Sequence, residues 1–163
     1  MTRYTPAPDV ASIAGDLIAT VDDHGDLAGV DIVYCWRDKA SKSKGRTVLG
    51  TARKVTGLNA FLARDQQDDE PLFVIEIAQD EWLDLTTKQR YALVDHELSH
   101  LRVKIGDDGE RDLTIRGHDV EEFRAVIDRH GFWKADVADF AVSVSEQMRL
   151  AIDGLSLDRG DET

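Results

Sequence analysis

Leu93-Val94-Asp95-His96-Glu97-Leu98-Ser99-His100 is the stretch on which the reading of this chain turns. It holds H-E-x-x-H within an apolar pattern of helical spacing, carried by Leu93, Val94, Leu98 and Leu101. Residues four apart share one face of an α-helix, so His96 and His100 can aim both imidazoles at a single metal ion. Glu97 follows the first imidazole at the rim of that face. There it is placed to take a proton from metal-activated water without ligating. The competing structural account is two half-exposed histidines beside a glutamate on a surface helix. The string alone arises by chance in about one chain in a hundred of this composition, so its helical, Pro-free and Gly-free setting carries much of the weight.

Working outward, the spacing predicts a helix over about 87–104, capped by Thr86 or Thr87, with a short helical start at Asp80 to Leu85. Upstream, Leu72 to Ile77 is the clearest strand, and Val30 to Trp36 and Thr47 to Val55 are two more. The Lys/Ser/Gly segment 39–45 reads as a flexible turn, Thr56 to Asn59 as a break, and acidic Asp65 to Pro71 as a loop. An amphipathic helix is expected over 9–23, with Asp9 as its N-cap. Downstream of the motif, Gly106 to Gly109 signals a turn, and Leu113-Thr114-Ile115 is a candidate hairpin arm. Helices are expected from His118 to His130, with Val120, Phe123 and Ile127 inward, and over about 135–153. The predicted fold class is α+β: a small, mostly antiparallel sheet packed against the H-E-x-x-H helix and further helices. Residues 1–9 form a lead, 10–133 the main domain, 134–155 a helical extension of it, and 156–163 a disordered tail.

A catalytic zinc site usually takes three protein ligands and leaves one position open. Three histidines remain. His24 sits in an acidic turn and is expected to face solvent, and His130 ends a helix beside Gly131, where an imidazole commonly meets carbonyls. His118 follows a turn that brings the chain back toward His96 and His100, and is the preferred third ligand. Glu121 and Glu122 stay open as rivals, since some zinc sites draw that ligand from a glutamate on a later helix. Asp95 and Asp119 adjoin ligands and are either imidazole-orienting groups or surface carboxylates. Tyr91, Arg111 and Arg116 are candidates to stabilise an oxyanion.

With 163 residues, 42% hydrophobic and 32% charged, the chain suits one globular domain. No apolar run approaches the roughly 20 residues that span a bilayer. The first residues lack a secretory apolar stretch, and Cys35 stands alone, so a cytoplasmic setting is expected. The net charge of −12 argues against nucleic acid as a partner. The basic residues between Arg37 and Lys54 are read as a solvated loop and strand edge rather than an acidic-ligand groove.

Taken together, these residues resemble the phage metallopeptidase family of short zincin-like proteins. The resemblance runs through Val48 to Asn59, Phe73 to Ala78, Lys88 to His100 and Arg116 to Phe123, and covers about residues 10–133. More distantly, Gly117 to Phe123 resembles the third-ligand block of SprT-like metallopeptidases, with one residue more between the His and the acidic-aromatic pair, and this favours His118. The absence of a zinc ribbon or broad basic face argues against carrying over their DNA-linked substrates. The resemblance implies a zincin-like fold, a Zn²⁺ cofactor, a peptide or protein substrate and a host-cytoplasm setting. The alternatives are an inactive zincin-fold binding or regulatory phage protein, and a metal-free acidic interaction protein.

Overall fold

The computed structural model describes residues 1–121, 124–133 and 135–157. In chain order these form β1 (Tyr4–Pro6), α1 (Pro8–Thr20), a 3₁₀ helix (Asp22–Leu27), β2 (Ile32–Arg37), β3 (Ser41–Ser43), β4 (Arg46–Val48) and β5 (Gly50–Val55). There follow α2 (Gly57–Ala63), β6 (Leu72–Ala78), α3 (Gln79–Leu83), α4 (Thr87–Ser99), β7 (Leu101–Ile105), β8 (Arg111–Ile115), α5 (Arg124–His130) and α6 (Ala135–Leu157). The class is α+β. The chain divides into two compact units, Met1–Gly117 and His118–Thr163.

In the first unit, β6 has neighbours on both sides and is buried along almost its whole length, which is why it reads as one apolar run. The sheet order is β1-β2-β6-β5, with β2 and β6 parallel and the other two pairings antiparallel. Phe73, Ile75 and Ile77 supply the centre of the core, joined by Val10, Ala14 and Leu17 of α1 and Val94 and Leu98 of α4. Trp36 and Trp82 meet edge to face at 5.2 Å, with the Arg90 guanidinium over the Trp82 ring.

Several sequence expectations are corrected here. Asp9 does not cap α1: Ala7 is the N-cap residue and Pro8 starts the helix, its fixed φ serving the first turn without a side-chain bond. The segment 39–45 is not a plain turn, because β3 and β4 pair across Lys44 and Gly45, both at positive φ, as a tight hairpin requires. The break at 56–59 is the start of α2, a helix whose one fully buried side chain is Ala60, too little to give a periodic signal.

The helix expected to run to 104 stops at Ser99. Leu101, Val103 and Ile105 alternate with Arg102 and Lys104, the period of a strand, and β7 pairs in register with β8. Thr86 rather than Thr87 caps α4. Its hydroxyl accepts from the Gln89 N–H (3.3 Å), while the Gln89 side chain accepts from the Thr86 N–H (2.9 Å).

In the second unit, α5 ends at His130. Gly131, at φ +66°, donates its N–H to the Ile127 carbonyl at 2.8 Å. Residues 118–121 are not helical, so the helix expected from His118 begins later. Glu122, Phe123 and the tail 158–163 lie outside the described residues. In α6, Val137 is buried and Phe140, Val144 and Met148 are exposed. Among the described residues, no helix is long and apolar enough to cross a membrane.

Candidate metal centre

The site is built on the last turn and a half of α4. Val94, Glu97 and Leu98 turn inward and are buried, while His96 is exposed and His100 half-exposed. The inward stripe of apolar side chains therefore fixes the rotation of the helix and leaves both imidazoles at the surface edge. Their rings lie 5.0 Å apart, nearly perpendicular.

The hairpin of β7 and β8 supplies the next residue. Its register, Leu101 opposite Ile115, continues one step beyond the strands, where the Arg116 N–H donates to the His100 carbonyl at 2.7 Å. The His100 ring lies against the same residue, Nδ1 being 2.8 Å from the Arg116 carbonyl. A carbonyl only accepts, so Nδ1 carries the proton and the lone pair sits on Nε2, the arrangement usual for a metal-ligating histidine. Two residues past that rung is His118. One ring nitrogen from each of His96, His100 and His118 lies within 4.8 Å of the others, close enough for a shared ion. Three imidazoles suit a borderline transition metal far better than calcium or magnesium, which take oxygen donors. Glu121 is not part of this group.

Glu97 is 3% exposed, an unusual place for a carboxylate. Burial raises its pKa from 4.5 to about 7, because the charged form loses hydration. A bound cation would act in the opposite direction.

A family model described as "Putative phage metallopeptidase" matches residues 2–144. The chain belongs to this family. No curated protein and no solved structure matches it. Membership in the phage metallopeptidases implies a metal ion and a peptide or protein substrate, and agrees with the imidazole group at the end of α4.

The other sequence candidates make contacts of their own. Tyr91 donates its hydroxyl to Asp16 of α1 at 2.9 Å, a bond that with the Asp16 charge raises the phenol pKa. Arg111 donates to the Gly29 carbonyl at 3.2 Å. Arg116 contributes its backbone to the site, as described. His24, expected in solvent, is 1% exposed, and its Nε2 lies 2.7 Å from Asp95 Oδ1. Asp95 thus orients an imidazole, but that of His24. This pair was missed because 71 positions separate its members and no local pattern joins them. His130, like His24, is not in the group of three imidazoles. Of the basic cluster, Arg37 is buried rather than solvated, donating to the carbonyls of Lys39 and Val48. Arg53 pairs with Glu76 at 2.7 Å.

Proposed function

We propose that this protein is a zinc-dependent, zincin-like metallopeptidase in which His96, His100 and His118 hold the ion and Glu97 is the general base. The observation that carries the reading is the meeting of three imidazole nitrogens, with a buried carboxylate on the residue that follows His96. When bound, zinc supplies Lewis acidity toward water and toward the substrate carbonyl oxygen. His100 keeps its orientation through the Arg116 carbonyl. Glu97 takes a proton from the attacking water and returns it to the leaving amine. A purely structural metal site leaves the burial of Glu97 without a purpose, since taking a carboxylate out of water is costly.

Substrate alignment is assigned to β5. An extended peptide can add to an exposed sheet edge through backbone hydrogen bonds. Of the two strands expected at 47–55 and 72–77, β6 lies between β2 and β5 and has no spare edge, whereas β5 is one of the two outer strands of the sheet. The test is Glu97→Gln. The variant is expected to bind one zinc per chain, as the wild type does, and to lose about 10²–10⁴-fold in kcat on a cleaved peptide. Undiminished turnover would refute the assignment of the base.

A further inference from the structure

We propose that Gly50 is the positioning residue for Glu97, its missing side chain being the space that holds the carboxylate in place. The catalytic half of this inference rests on the reading of Glu97 as the proton carrier. Gly50 opens β5 and has Ile77 of β6 as its Cα partner. Residues directly opposite in a pair of strands point to the same face. Ile77 belongs to the core, as do Val94 and Leu98 of α4, so a side chain at position 50 would rise toward that helix. A Cβ built on Gly50 collides with the Glu97 carboxylate oxygen Oε1 and comes within 2.7 Å of Cδ and 2.9 Å of Cγ. Atoms without a bond between them do not stand that close.

The usual reasons for glycine do not apply at this position. Its φ is not positive, unlike Gly45, Gly57 and Gly131, so the backbone there accepts any residue. The nearest neighbours of that space are all atoms of Glu97: Oε1, Cδ and Cγ. With α4 on one side and the backbone of the edge strand on the other, the carboxylate is shielded from water and restricted in rotation. A side chain at position 50 must push it aside, while His96, His100 and His118 are untouched. Displacements of about 1 Å at a reacting group cost on the order of 10²-fold in rate.

The experiment is a pair of variant cycles. Gly50→Ala is expected to keep one zinc per chain, lower kcat about 10- to 100-fold and leave KM within about twofold. In a Glu97→Gln background the same substitution is expected to cost nothing further. In metal-free protein, Gly50→Ala lowers Tm, and Glu97→Ala removes that penalty, because alanine is otherwise well tolerated at an ordinary φ. If Gly50→Ala alone fails to fold, recovery of folding in the double variant gives the same answer. A raised KM with unchanged kcat would make Gly50 part of the substrate edge and overturn the proposal, as would equal losses in both backgrounds. A wild type without turnover overturns the peptidase reading and with it the catalytic consequence of Gly50. A missing Tm penalty overturns the contact itself.

Discussion

Glu97 and His96 are neighbours in sequence and opposites in environment, one buried and one exposed. That contrast follows from helical geometry, since a 100° step carries the chain from the edge of α4 to its core face. The shared helix face of His96 and His100 and the placement of Glu97 beside it were therefore legible as a string with a helical period. His118 was legible only as a preference, because 18 positions separate it from His100 and no local period joins them. His118→Ala is expected to leave the fold intact, judged by circular dichroism, while zinc falls well below one per chain after desalting. Added zinc is expected to raise the Tm of the wild type, by binding to the folded state alone, and not that of the variant. Full zinc stoichiometry in the variant would remove His118 from the ligand set. His24 carries the opposite lesson, for its burial against Asp95 has no local signature.

Among the elements, α4 shows how far propensity and capping reach. The Thr86 and Gln89 box marks its start in the sequence, and the structure holds both reciprocal bonds. Thr86→Ala is expected to cost about 1 kcal/mol, seen as a lower urea midpoint with an unchanged slope. A loss under about 0.3 kcal/mol would mean the cap adds nothing beyond water. The other end of the helix was misread because Leu101 continues the helical spacing of Val94 and Leu98, while with Val103 and Ile105 it begins the alternation of a strand. Pairing with β8 decided between them, and that pairing also carries the Arg116 contacts to His100. The β3–β4 hairpin and α2 escaped notice for a related reason: short, exposed elements bury too few side chains to imprint a period.

At the scale of the first unit, α4 and the hairpin are tied to the N-terminal helices by polar contacts between distant residues. Tyr91 donates to Asp16, His24 meets Asp95, and the Val103 N–H donates to Asp26 at 2.9 Å. These bonds hold α4 and the strand after it against the same support. His24→Ala removes a fully buried imidazole together with its partner bond, and is expected to destabilise by about 1–3 kcal/mol in denaturant unfolding. Zinc stoichiometry is expected to survive, because neither His24 nor Asp95 is in the imidazole group. A change below about 0.5 kcal/mol would show that the pair does not support α4.

The α+β class, the long strand 72–78, the start of α4 and the metal-binding motif followed from the sequence itself, because periodicity, capping and ligand spacing are local properties. Only tertiary structure decided which strands lie at the sheet edges, where His24 sits, how β7 and β8 pair after α4, and how close position 50 comes to Glu97. Each of these depends on contacts between residues far apart in the chain, and burial and packing become defined only when the chain is folded.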